Sequence, residues 1–283
     1  MSEYPEILYE VQERIATTTL NRPERLNAYT GKMASSIKRA MAEANNDPQV
    51  RVIIITGSGR GFCAGADMDI LSGHTRSEPN SPPRRDPSEI DSRFHSPLGP
   101  NLDNEFHDAE RFGYFVKAKK PIIAAINGPI AGIGLVMALY ADIRFAAANA
   151  VFTTSFSQRG LIAEHGMSWL LPRIVGQANA LDLVLSARKI NADEAYHMGL
   201  VNKVLSQETF MEGVHAYARI LADTVSPRSM AVMKAQLWKA NFQDFNEALA
   251  VADEEMKASL VGPEFKEGVA HFLEKRAPRF ADI

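Results

Sequence analysis

The chain has 283 residues, 46% of them hydrophobic and 23% charged, with a formal net charge of −3. That length and apolar fraction suffice for a buried core, and the slightly acidic balance lacks the basic excess of a nucleic-acid binder. A single cysteine, Cys63, excludes an intramolecular disulfide and points to a reducing compartment. The N-terminal MSEYPEILYEVQER carries acids among its apolar residues and no signal-peptide core, and no apolar run reaches the length of a membrane span. The expectation is a soluble, cytoplasmic α/β protein that binds neither nucleic acid nor membrane.

Ile7 to Val11 and Ile15 to Leu20 alternate apolar and polar residues and predict an antiparallel hairpin. The loop NRPERLNAYT follows, with Asn27 placed to start a helix. Thr30 to Asn45 then has helical spacing (Met33, Ile37, Met41), ended by Asp47-Pro48. Val52 to Thr56 is a continuous β-branched run, the mark of a strand buried on both faces. The glycine-rich GSGRGFCAGADMDILSG comes next and opens a short helix at Asp67. Ser72 to Asn104, rich in Pro, Ser and charge, reads as a flexible insertion loop within one sheet-based core. Helical spacing resumes from Asn104 to Lys119.

The chain is organised around PIIAAINGPIAGIGLVMALYADIRFA, Pro121 to Ala146. Ile122 to Ile126 predicts a buried strand, Asn127-Gly128-Pro129 a turn, and Leu135 to Tyr140 a helix entered through Ala131-Gly132-Ile133-Gly134. Two readings of those glycines stand side by side. They make a tight turn that packs helix on sheet, or they leave backbone N–H groups open to an anion developing on a ligand.

Further on, Asp142 to Ala146 and Val151 to Thr154 predict strands, and Gln177 to Ser186 a helix. Lys189-Ile190 is strand-like, and Asn191 caps a helix that stops at Gly199 before another strand. After Ser206 the chain is almost wholly helical, with breaks at Ser226-Pro227 and Gly262-Pro263. Its apolar stripes (Met230, Met233, Leu237; Leu249, Met256, Leu260) need burial against the core or another subunit.

Five segments, NRPERLNA, GRGFCAGADM, the central stretch, LLPRIVG and ADEAYHMGLVNKV, occur in this order and at intervals that together resemble the crotonase superfamily, the enoyl-CoA hydratase/isomerase group. The resemblance spans roughly Ile7 to Phe280. It implies a crotonase-like ββα spiral core over residues 1–205, with 72–104 as a loop inserted in it. It also implies a helical trimerisation region over 206–283, in a homotrimer or a hexamer built as a dimer of trimers. The implied chemistry is stabilisation of an acyl-CoA thioester enolate, with coenzyme A carried as part of the substrate and no other cofactor. By motif, the oxyanion donors are the N–H groups of Ala66 and Ile133, the latter with its side chain turned away from the thioester. Coenzyme A recognition falls on Arg25, Ala28, Ala64, Ala66, Asp67, Ile70 and Gly132. Arg25 has the chemistry for a phosphate, and an ordinary solvated arginine is the competing reading. Asp67 is also placed to cap the helix that it opens.

The departures bear on the reaction. Hydratases of the superfamily use two glutamates, and alignment places these at Val136 and Phe156, both apolar here and assigned instead to the substrate pocket. A carboxylate reappears at Glu164 in GLIAEHG, a context similar to the GL-x-x-E-G-G of the peroxisomal-type Δ3,Δ2-enoyl-CoA isomerases. The resemblance implies a single acid/base at Glu164 that moves a proton from C2 to C4 of a 3-enoyl thioester; the bare sequence reads Glu164 as a surface carboxylate. Neighbouring His165 is expected to point elsewhere. Lys275 and Arg276 read as a solvated helix end, Cys63 as a packed small residue, and no spacing suggests a metal. Other superfamily chemistry, hydration or carbon–carbon hydrolysis, stays open through Asp91, His95, Asp103, Glu105 and His107, as does a non-catalytic acyl-CoA-binding paralogue.

Overall fold

The computed structural model describes residues 4–68 and 112–283. Ile70, the 72–104 insertion and the five acids and histidines just named lie outside the described residues. In chain order the strands are β1 (Ile7–Gln12), β2 (Ile15–Leu20), β3 (Val52–Gly57), β4 (Ile122–Ile126), β5 (Ile130–Ala131), β6 (Ile143–Ala147), β7 (Val151–Thr153), β8 (Ile190–Asn191) and β9 (Lys203–Leu205). A six-stranded sheet runs β1-β2-β3-β4-β6-β9, antiparallel only in its first hairpin. A three-stranded sheet, β5-β7-β8, stands beside it.

Side-chain alternation divides the large sheet's contacts between two cores. Ile53, Ile55, Ala124 and Ile126 face the main core with Met33, Ile37 and Met41 of α1 (Gly31–Asn46). Ile15, Val52, Ile54, Ile123 and Ala125 face the other way, onto Phe210, Val214, Ala218 and Ala222. β2 is therefore almost wholly buried, although its alternation predicts one wet face; the threonines Thr17 and Thr18 are buried with the rest. The helix that covers this second face, Phe210–Thr224, lies within the C-terminal helical segment and is part of the sheet's packing.

Among the described residues, five α-helices lie between α1 and that one: α2 (Gly113–Lys117), α3 (Ile133–Leu139), α4 (Met167–Val175), α5 (Gln177–Ser186) and α6 (Ala192–His197). Phe210–Thr224 is then α7, followed by α8 (Pro227–Lys239), α9 (Phe245–Val261) and α10 (Pro263–Glu274). Pro227 and Pro263 open their helices as expected, and Asn191 caps α6 by accepting from the Glu194 N–H at 2.8 Å. A further break before α9 is set by a capping box between Asp244 and Glu247. Met230 is buried, but Met233, Leu237, Leu249, Met256 and Leu260 are exposed, and α9 and α10 contain no buried residue. Among the described residues no helix is long and apolar enough to cross a membrane.

One local expectation is overturned. Asn27 does not start α1; Thr30 does, its hydroxyl accepting from the Met33 N–H at 3.1 Å. Asn27 sits in the left-handed region (φ 55°) with its side chain turned inward, where loop carbonyls use both amide protons.

Candidate active site

The site is built where the loop after β2, the loop after β3 and the entrance to α3 meet. Asn27 donates to the carbonyls of Ser58 (2.9 Å) and Gly61 (2.8 Å), and its carbonyl accepts from the Arg22 N–H at 2.8 Å. Asn127, at the end of β4, accepts from the Gly57 N–H at 3.2 Å and donates to the Gly59 carbonyl at 3.0 Å. Two buried amides thus hold the Gly57–Gly61 loop. Small size is required there: a Cβ on Gly128 would lie 2.2 Å from the Arg60 carbonyl oxygen.

This clamp delivers the segment that contains Ala66. Tyr29 donates to the Gly65 carbonyl (2.8 Å) and accepts from the Asp67 N–H (3.1 Å), a parallel bridge centred on Ala66. With its neighbours bonded to Tyr29, the Ala66 N–H points to the opposite side. Across from it, the Gly132 N–H donates to Thr153 at 3.2 Å and its carbonyl accepts from Val136 at 3.0 Å, so Ile133 opens α3 as a first-turn amide. The Ile133 side chain is buried in the main core. Gly65 and Gly132 both have positive φ, and a Cβ on Gly132 would stand 3.9 Å from Gly65 Cα and 3.9 Å from the Phe156 ring. The two segments that bear the candidate donors are therefore in contact, with Phe156 beside them and Val136 buried one turn into α3.

The remaining candidate positions are divided. Arg25 and Ala64 are exposed, and the Ala64 N–H donates to Leu26 at 2.9 Å. Ala28 is buried, and its carbonyl accepts from Arg22 Nη1 at 2.7 Å. Asp67 stands just before helical Met68, and its buried carboxylate takes Arg22 Nη1 at 2.8 Å. Burial pushes the Cys63 thiol up to about 11, and its Sγ would lie 2.9 Å from a Cβ on Gly134, so it packs as a small residue. Arg276 pairs with Glu267 (2.6 Å) and Glu274 (2.6 Å). No cluster with metal-ligand composition occurs among the described residues.

Glu164 lies in the turn before α4, its carbonyl accepting from Met167 at 3.0 Å and its side chain 30% exposed. His165 does not point elsewhere: its Nε2 lies 3.2 Å from Glu164 Oε2. The cause is backbone conformation, because His165 adopts a left-handed φ of 53° and Gly166 follows at 81°. Tyr140 fixes this turn by donating its hydroxyl to the His165 carbonyl at 2.9 Å, and a Cβ on Gly166 would fall 2.5 Å from that hydroxyl. Sequence reasoning missed Arg22, Asn127 and Tyr140. Only Arg22 left a signal, since a buried carboxylate in GADM requires a cation from elsewhere.

Comparison with known proteins agrees with this architecture. The profile of the enoyl-CoA hydratase/isomerase family matches residues 10–85 and 100–283. The chain is 33% identical over 274 residues to 1,2-epoxyphenylacetyl-CoA isomerase of Escherichia coli K12, covering 97% of each chain. It is 33% identical over 279 residues to crotonyl-CoA hydratase of Syntrophomonas wolfei, covering 98% of each. The crystal structure of a putative enoyl-CoA hydratase from Streptomyces coelicolor A3(2) superposes with a TM-score of 0.84 at 29% identity, over 99% of this chain and 95% of that one. These names support the family and do not single out the Δ3,Δ2-isomerase subgroup to which GLIAEHG pointed. The chain belongs to the enoyl-CoA hydratase/isomerase family, as an enzyme of crotonase fold with two sheets and C-terminal helices.

Proposed function

We propose that this enzyme isomerises a 3-enoyl-CoA to the conjugated 2-enoyl-CoA with Glu164 as its single acid/base. The thioester carbonyl accepts from the Ala66 and Ile133 N–H groups. Glu164 removes a proton from C2, the electron pair delocalises through the dienolate onto the oxygen held by the two amides, and Glu164 returns the proton at C4. Fixed donors favour this charge without reorganising as it forms. The observation that carries the reading is the contact between the Gly65–Ala66 and Gly132–Ile133 segments, together with the apolar Val136 and Phe156 where hydratases carry glutamates. Arg25, Ala28, Ala64, Ala66, Asp67, Ile70 and Gly132 are the residues this reading assigns to coenzyme A recognition.

The exposed apolar residues of α8–α10 support assembly as a homotrimer or hexamer through the 206–283 region, with α7 retained by the core.

Hydration of a 2-enoyl thioester is the second reading, supported by the hydratase named among the relatives and by His165 beside Glu164, two titratable groups where the hydratases use two. Incubation with 3-hexenoyl-CoA and 2-hexenoyl-CoA separates them. Conjugated product from the first substrate is expected; 3-hydroxyacyl product from the second alone favours hydration, and binding without turnover contradicts both.

A further inference from the structure

Arg22 and Asp67 form a largely buried ion pair next to the candidate donor Ala66, and the proton transfer described above uses neither. Arg22 Nη1 lies 2.8 Å from Asp67 Oδ2, with the Arg22 side chain 17% exposed and that of Asp67 6%. The same nitrogen donates to the Ala28 carbonyl at 2.7 Å, and the Arg22 main-chain N–H donates to Asn27 at 2.8 Å. Glu6 adds a longer contact, its Oε1 3.7 Å from Arg22 Nε. Arg22 therefore joins the Asn27 clamp to the segment that holds Ala66, and the Tyr29 bridge closes the link on both sides of that residue.

We propose that the Arg22–Asp67 pair is a positioning unit for the Ala66 N–H and that the Arg22 charge keeps the Asp67 carboxylate compatible with an enolate at the site. This rests on the reading above, in which Ala66 is one of the two donors. A carboxylate one residue away from an amide that receives negative charge opposes that charge, and burial strengthens the opposition. A guanidinium 2.8 Å away offsets it while fixing the Ala66–Asp67 segment by direct bonds. Loss of the cation alone is thus worse than loss of both charges, the usual asymmetry of buried pairs.

The test uses the full chain and the unreactive probe [1-¹³C]hexanoyl-CoA, whose bound carbonyl stretch reports polarisation by the two amides. Wild type is expected to lower that frequency relative to the free thioester. Arg22→Gln is expected to lose much of this lowering and on the order of tenfold in kcat on 3-hexenoyl-CoA. Arg22→Lys and the double variant Arg22→Gln/Asp67→Asn are expected to recover most of both. Asp67→Asn, which keeps the cation, is expected to lower the frequency further, and this decides the question if Arg22→Gln does not fold. A double variant no better than Arg22→Gln, or an Asp67→Asn frequency equal to wild type, overturns the proposal while the two-amide reading stands. A wild-type carbonyl that does not shift at all removes that reading and this inference with it.

Discussion

The two halves of the candidate site are held in different ways. The donor segments are largely buried and cross-linked: Asn27, Asn127, Arg22 and Tyr29 each bond to a loop distant in sequence. The Glu164 turn is partly exposed, and Tyr140 donates a side-chain bond to its backbone. Electrostatic stabilisation of a developing charge needs donors that do not move. A group that carries a proton between two carbons of one substrate needs reach instead. The contrast matches those requirements.

Four perturbations test the contrast, the first being the most severe. Gly128→Ala forces a Cβ to 2.2 Å from the Arg60 carbonyl oxygen, backbone against backbone. We expect a loss of at least about 3 kcal/mol in urea unfolding. Asn27→Ala leaves the Ser58 carbonyl without its side-chain donor and removes the shorter of the two amide bonds to Gly61. The expected cost is about 2 kcal/mol, with kcat falling alongside because the donor loop loosens. Tyr140→Phe removes one hydrogen bond from the Glu164 turn, at about 1 kcal/mol of stability. Its expected signature is a lower kcat with KM little changed, read from steady-state kinetics on 3-hexenoyl-CoA. An unchanged kcat would mean that the turn needs no such anchor.

The mildest perturbation is pH. The buried Cys63 thiol has its folded value raised to about 11 from 9.0, so its contribution to stability is complete below pH 9 and is lost as pH rises through 11. Thermal melts of wild type and Cys63→Ala are expected to diverge in slope only over that window. At pH 8 an added aromatic disulfide is expected to leave the folded chain unlabelled and to react once urea opens the donor loop.

Much of the framework was legible because it depends on local pattern. The β-branched run at Val52–Thr56 predicted a strand buried on both faces, and the β2–β3–β4 pairing shows one. The Pro-opened helices and the Asn191 cap followed from residues adjacent in sequence. Asn27 failed because its partners lie 31 and 34 residues away, and capping chemistry and loop-clamping chemistry use the same side chain. His165 failed because a left-handed backbone turned its ring toward a neighbour that an ordinary conformation would have kept apart. The burial of Thr17, on the Ile15 face of β2, depended on α7, packed from almost two hundred residues further along the chain, whereas Thr18 shares the main-core face with Ala16 and Leu20. Of the two readings of the central glycines, the packing turn is seen directly, since a Cβ on Gly134 would lie 2.6 Å from the Cys63 carbonyl oxygen; which loops approached one another was a property of the fold.

The most direct measurement is turnover of 3-hexenoyl-CoA by Glu164→Gln, with affinity for hexanoyl-CoA determined on the same preparation. The account predicts a loss of about 10² to 10⁴ in kcat, the range of a single acid–base group, with affinity within a few-fold of wild type. Isomerisation at the wild-type rate would place the base elsewhere and contradict it.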